Sequence, residues 1–465
     1  MRRLKPYLFA ALLLPSVVPA QDPASLSPEQ FGLQHLASYL GLKPSDISYR
    51  SDYTEPDGFR LKLVADLMDQ PLGMIEYTEN LKAAYVRAQP EILAGIVSSD
   101  LITEFQTERL PAYLPEVNEI SELQNSYLPY YSNLAINRLL NRCLVYLDIV
   151  FPRSAEMMLA ELNAEQRRFL TEQFKELIVV SVEEEFMTAD ELDAAGKREE
   201  AYVEEFVVFG GNLHLDPILR AGTDCLRDLM LEAKSLRAEL RSGQSDPEQL
   251  LASTDLVDDR AAGSYMGKQA GWAIGGVGQD YYEGDYRFIL DLGGDDIYDL
   301  HYDPSDPHGV IILDLSGNDT YRAGSDFALG SGCLSVGILL DFEGNDRYDG
   351  RSFSIGSGYF GFGVLYDAAG DDRYEGDTHV QGAGTFGLGL LIDEGGRDIY
   401  NAALYSQGFG FTEGFGLIYD ADGSDSYYAG GKYKDHLRYE DHYLSLSQGF
   451  GYGLRPWMSG GVGAI

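Results

Sequence analysis

"YDAAGDDRYEGD", residues 366–377, crowds acidic side chains around Gly370 and Gly376 and carries two tyrosines, Tyr366 and Tyr374. Its centre follows the pattern D-x-x-G-x-D-x-Y. The same pattern returns as "DLGGDDIY" from residue 291, "DLSGNDTY" from 314, "DFEGNDRY" from 341, "DEGGRDIY" from 393 and "DADGSDSY" from 420. With the copy at 367, successive starts lie 23, 27, 26, 26 and 27 residues apart. A degenerate copy, "GVGQDYY" from 276, opens the series. Apolar runs such as "VIILD", "GILLD" and "GLLID" lead into the copies, and a second glycine cluster such as "IGSGYFGFG" lies between them.

In-phase copies with short β-type runs and a period near 26 read as one solenoid coil per repeat. The apolar run is one strand, the acidic turn is a corner, and the tyrosine begins the next strand. The second glycine cluster makes another corner or bulge, where backbones approach closely. The tyrosines read as an aromatic core ladder. Coils stacked about 4.8 Å apart turn equivalent positions into columns. Asp291, Asp314, Asp341, Asp367, Asp393 and Asp420 form one column, and Asp296, Asp319, Asp346, Asp372, Asp398 and Asp425 a second in the same corner.

Two columns of bare carboxylates oppose stacking. Neighbours near 5 Å repel by about 1 kcal/mol in water and by several at the effective dielectric of a protein surface. A hard cation with oxygen ligands offsets that charge best, and calcium suits carboxylates combined with carbonyls in a flexible turn. Glycine at the fourth position, here Gly294, Gly317, Gly344, Gly370, Gly396 and Gly423, frees the backbone to turn and expose its carbonyl. A metal-free reading stands beside this one: an aspartate in a glycine turn hydrogen-bonds its own backbone. Arg347 and Arg373, one residue after the second column, offer partial neutralisation without metal.

The G-x-D-x-Y half of each copy resembles the calcium-binding nonapeptide of RTX (haemolysin-type) proteins, G-G-x-G-x-D-x-U-x. That resemblance implies calcium held between coils by the second-column aspartates and the fourth-position glycine carbonyls, with the tyrosine turned inward. The likeness covers half of each copy, the first two glycines are replaced, and the period is about 26 rather than nine.

Composition shifts near residue 260. Residues 25–255 are poor in glycine and carry helix signals: "SPEQ" at 27–30, Thr188 with Glu191, Ser245 with Glu248, and the stripe Ile136, Leu140, Cys143, Leu147. The N-terminus, with Arg2, Arg3 and Lys5, an apolar run from Tyr7 to Val18 and then Pro19-Ala20, has the form of a secretory signal cleaved before Gln21. A membrane anchor is the alternative. The expected architecture is therefore α + β multidomain: a signal peptide at 1–20, a helical domain at 21–260, and a parallel β-helix-like solenoid at 261–465. "SGGVGAI" at 459–465 matches the lead-in to another copy, so the solenoid reads as incomplete at its C-terminus.

The formal charge of −39 argues against nucleic acid and anionic membrane surfaces as partners. Three cysteines are too few for a disulfide framework; Cys143 and Cys225 can pair if the fold brings them close, free buried thiols are the alternative, and Cys333 has no obvious partner. No hydrolase, Walker or zinc-protease motif occurs. His214 with Asp216, beside the Glu-rich stretches at 183–185 and 204–205, is a weak candidate polar site. The loops "HYDPSDPHG" (301–309) and "KYKDHLRYEDHY" (432–443) are the irregular insertions.

These features favour an exported structural or interaction protein, with extracellular polysaccharide or a surface protein as its partner. One alternative is a carbohydrate-active β-helix enzyme of the polysaccharide-lyase kind using Arg347 or Arg373. The other is an outer-membrane barrel, which the continuous apolar runs disfavour.

Overall fold

The computed structural model describes residues 39–42, 46, 59–69, 71, 73–87, 94–95, 134–175, 188–243, 265–266, 271–435, 441–454 and 458–465. The signal-like segment and the helix caps at 27–30 and 245–248 lie outside these residues.

The second half is a parallel β-solenoid. One sheet stacks the apolar runs: Phe288–Asp291, Val310–Asp314, Val336–Asp341, Phe362–Asp367, Leu388–Asp393 and Phe415–Asp420, with Trp272–Ile274 before them. Neighbours pair in parallel and in motif register, so Asp341 pairs with Asp367 and Asp367 with Asp393. Parallel pairing of neighbouring coils is not the antiparallel hairpin order of an outer-membrane barrel. A second sheet stacks the tyrosine strands, from Tyr281–Gly284 to Ser426–Ala429. Short strands at Gly332–Cys333, Gly358–Tyr359 and Gly384–Thr385 form the third side. Val462–Ala464 continues the first sheet, pairing with Phe415–Leu417.

Every residue of Val336–Asp341, Phe362–Asp367 and Leu388–Asp393 is buried. Burial on both faces explains why these strands read as unbroken apolar runs. Ile289, Ile312, Leu339, Leu365, Leu391 and Ile418 face the tyrosines inside the solenoid. Ile338, Leu340, Phe362 and Val364 face outward and share one core with the helices. A β-carbon on Gly222 of the helix Asp216–Arg241 would fall 2.2 Å from the Phe362 ring, so that helix lies directly on the sheet.

Helices also cover the third side. Phe174 packs against Phe360 and Phe386 with ring centroids 5.3 and 5.5 Å away, and the Tyr359 hydroxyl donates to the Leu170 carbonyl at 2.6 Å. The stripe Ile136, Leu140, Cys143, Leu147 is wholly buried. The helix carrying it passes into a π-helical turn at Tyr146–Val150. There the Leu147 carbonyl and the Asp148 carboxylate accept from Arg287 of the solenoid at 2.6 and 3.1 Å. Thr188 and Glu191 form the capping box that opens the helix Ala189–Phe209. The outer face of the tyrosine sheet faces solvent, which its alternating strands record.

Candidate metal centre

The acidic turn brings both aspartate columns into one buried corner. First-column Oδ1 atoms accept from the main chain two residues on: Gly293 to Asp291 at 2.8 Å, Ser316 to Asp314 at 3.0 Å, Ala369 to Asp367 at 3.1 Å and Gly395 to Asp393 at 2.9 Å. This is the local turn bond that the metal-free reading expects. First-column Oδ2 atoms accept phenols from the coil before. Tyr321 donates to Asp341 at 2.6 Å, Tyr348 to Asp367 at 2.7 Å and Tyr374 to Asp393 at 2.9 Å; Tyr282 and Tyr298 donate likewise to Asp291 and Asp314. At the far end Tyr427 reaches Asp420 within its own coil, at 2.6 Å.

The tyrosines are the expected aromatic ladder. Tyr321, Tyr348, Tyr374 and Tyr400 stack at centroid spacings of 4.8 Å and within 5° of parallel. Their link to the aspartates escapes a reading of single copies, because Tyr321, Tyr348 and Tyr374 bond the acid of the next copy, whereas Tyr400 bonds Asp393 of its own copy at 2.9 Å.

The second column is bonded on one side only. The main-chain N–H of each of these aspartates donates to Oδ1 of its successor: Asp296 to Asp319, Asp319 to Asp346 and Asp346 to Asp372 at 2.6 Å, Asp372 to Asp398 at 2.7 Å and Asp398 to Asp425 at 3.0 Å. Oδ2 of Asp296, Asp319, Asp346, Asp372 and Asp398 is buried without any partner. A buried carboxylate oxygen left so is costly unless a proton or a cation meets it.

The columns meet in triads. Asp296 with Asp314 and Asp319, Asp319 with Asp341 and Asp346, Asp346 with Asp367 and Asp372, and Asp372 with Asp393 and Asp398 each place one oxygen per residue within 4.8 Å of the others. Asp280 with Asp291 and Asp296 makes another. Asp280 belongs to the degenerate opening copy. Its own half-motif, Gly278-Gln279-Asp280-Tyr281-Tyr282, is intact and was the available signal. Gly275 stands where that copy's first aspartate belongs; a β-carbon there would meet Asp291 Oδ2 at 1.9 Å.

Fourth-position glycines are needed for space rather than for an unusual φ. Among the six, only Gly294 has a positive φ, at 148°. A β-carbon on Gly344 would lie 1.9 Å from the Gly317 carbonyl oxygen and 2.5 Å from Asp346 Oδ1. Carbonyl, carboxylate and glycine of adjacent coils therefore share one cradle.

Burial is the main force on the pKa of these groups. It raises Asp319 to about 9, Asp372 to about 8, Asp314, Asp346 and Asp398 to about 7, and Asp296 and Asp420 to about 6. Asp291, Asp341, Asp367 and Asp393 are raised by burial too.

Arg347 and Arg373 do not enter the corner. They lie on the exposed face of the tyrosine sheet, Arg347 paired with Asp349 and Glu375 at 2.8 and 2.7 Å and Arg373 with Glu375. Neither neutralises the columns, and neither stands as a base beside them. His214 and Asp216 also part company: His214 faces Glu161 at 3.7 Å, while Asp216 accepts from Arg220 at 2.8 Å. Both insertions are pinned by a tyrosine: the Tyr302 hydroxyl donates to the Cys333 carbonyl at 3.1 Å, and the Tyr433 hydroxyl to Asp377 at 2.9 Å.

No protein-family model, curated protein or solved structure matches this chain. The likeness to haemolysin-type repeats rests on the half-motif and on the stacked Asp/Tyr corner it builds.

Proposed function

We propose that the corner is a calcium array that holds the coils together, in an exported protein with a structural or interaction role. The observation that supports this most is the unpartnered, buried Oδ2 repeated on Asp296, Asp319, Asp346, Asp372 and Asp398. The aspartate triads with the carbonyls of Gly278, Gly294, Gly317, Gly344, Gly370 and Gly396 would hold the ions. Gly423 and Asp425 extend the pattern at the far end. When bound, calcium supplies the positive charge that lets these carboxylates stay ionised while buried. First-column oxygens already bonded to a phenol or an amide can each accept again.

The chain's part is to fix the oxygens. Backbone bonds orient the second column, phenols orient the first, and glycine keeps the corner open. Extracellular polysaccharide or a surface protein is the proposed partner class, consistent with a charge of −39 that disfavours polyanions. Among the described residues no helix is long and apolar enough to cross a membrane.

Elemental analysis and calorimetric titration of the metal-stripped chain test the reading. Several calcium ions per chain and a higher melting temperature with calcium are expected. A chain that binds none, and melts alike in calcium and EDTA, overturns it. A second reading has its own support: the raised pKa values allow shared protons to quiet the corner instead, and it predicts that null result.

A further inference from the structure

The solenoid corner makes no use of the cysteines in the helical segment. Cys143 lies on the helix Leu134–Val145 and Cys225 on the helix Asp216–Arg241. These helices pack antiparallel. Arg138 reaches Glu232 at 3.1 Å, and Arg142, one turn on, reaches Asp228, one turn back, at 3.1 Å. That register carries Cys143, next after Arg142, to the turn that holds Asp228 and Cys225.

Both thiols are fully buried, so both point into the packed interior rather than along the outer rim where the ion pairs lie. They are near enough for Cys143 to act on the ionisation of Cys225. Helices packed about 8–10 Å apart, with Cα atoms about 2.3 Å from each axis, bring directly facing Cα atoms to roughly 3.4–5.4 Å, and slightly offset ones further. A disulfide spans Cα atoms roughly 4.4–6.8 Å apart. Cys333 sits in the solenoid's third sheet and serves as an internal control.

We infer that Cys143 and Cys225 close a disulfide that staples these two helices under oxidising conditions. One thiolate attacks an acceptor disulfide and releases one of its sulfurs as a thiol. The second cysteine then displaces the other sulfur. Two protons and two electrons leave the cysteine pair, and the acceptor is reduced to two thiols. Burial raises both thiols' pKa in the fold, making thiolate scarce there, so the bridge closes while the helices are still docking.

The full chain, reduced and unfolded, is refolded in oxidised and reduced glutathione, then unfolded in N-ethylmaleimide and mapped by mass spectrometry. One alkylated cysteine, Cys333, and a linked Cys143–Cys225 peptide are expected. The oxidised chain should melt several degrees above the reduced one, and Cys225→Ser should remove that difference and leave Cys143 alkylated. Three alkylated cysteines, or a bridge that includes Cys333, overturn the inference. Should refolding fail, the chain isolated from an oxidising compartment is mapped by the same criteria. None of these readouts depends on calcium.

Discussion

The main-chain N–H of Asp346 donates to Oδ1 of Asp372, one coil further on, at 2.6 Å, while Oδ2 of Asp372 is buried without a partner. The side chain thus has a structural half and an unsatisfied half. Asp372→Asn separates the two. Its side-chain carbonyl can still accept from Asp346, but its amide puts a neutral donor among Asp346, Asp367, Asp393 and Asp398. Without calcium the variant should match the parent at neutral pH, where Asp372 keeps its proton, and exceed it by about 1 kcal/mol above about pH 8, where a repelling charge is gone. With calcium it should gain less stability and bind fewer ions. Melting curves in EDTA and in calcium check both signs; equal losses in the two conditions would make Asp372 only a structural acceptor.

The acidity of the corner sets a direction for pH. Asp319 near 9, Asp372 near 8, and Asp346 and Asp398 near 7 all lie above the ordinary carboxyl value of about 4. The fold keeps protons that the unfolded chain has already released. That contribution to stability is complete below about pH 4 and is lost as pH rises through about 7 to 9. In EDTA the melting temperature should fall across this window. Calcium competes with the protons, so its stabilising effect should grow with pH. A flat EDTA profile would mean that these carboxyls are not buried as described.

Much of this was open to reading in the sequence, because a solenoid turns sequence period into spatial register. The spacing from Asp341 to Asp367 to Asp393 is the strand pairing itself. What the period does not carry is direction. Arg347 looks adjacent to the corner in sequence, yet strand alternation turns it outward between Asp346 and Tyr348. Nor does the period show what covers a strand. Phe362 and Val364 face helices more than a hundred residues earlier in the chain, a contact that no local pattern encodes. Asp280 is hard to read from the sequence because its copy has lost its first aspartate, although the half-motif that places it is complete.

Tyr348 joins the two ladders, stacked between Tyr321 and Tyr374 at 4.8 Å and donating to Asp367 at 2.7 Å. Tyr348→Phe keeps the stack and removes the donor, leaving a buried Asp367 oxygen bare. A loss of about 1–3 kcal/mol is expected, read from the urea midpoint. Tyr281→Phe, at an exposed position of the same sheet, should be silent within about 0.5 kcal/mol. Equal effects at the two sites would remove the phenol–carboxylate bond from the account.

His379 offers the opposite sign. It continues a column begun by Phe327 and Phe353, and its ring stacks on Phe353 at 4.5 Å. Both ring nitrogens are buried without a partner. Burial, with the nearby Lys175 ammonium, pushes its pKa down to about 3, so the ring is neutral at ordinary pH. The backbone is left-handed, at φ 53°, but Phe353 holds φ 54° one coil earlier, so phenylalanine adds no new strain. His379→Phe removes two unsatisfied polar atoms and keeps an aromatic ring in the column. It should raise stability by about 1–2 kcal/mol. His379→Ala should lower it by about 3 kcal/mol through the cavity it leaves. Paired urea melts of the two variants check the prediction: destabilisation by phenylalanine would require a donor or acceptor for the imidazole that this packing does not provide.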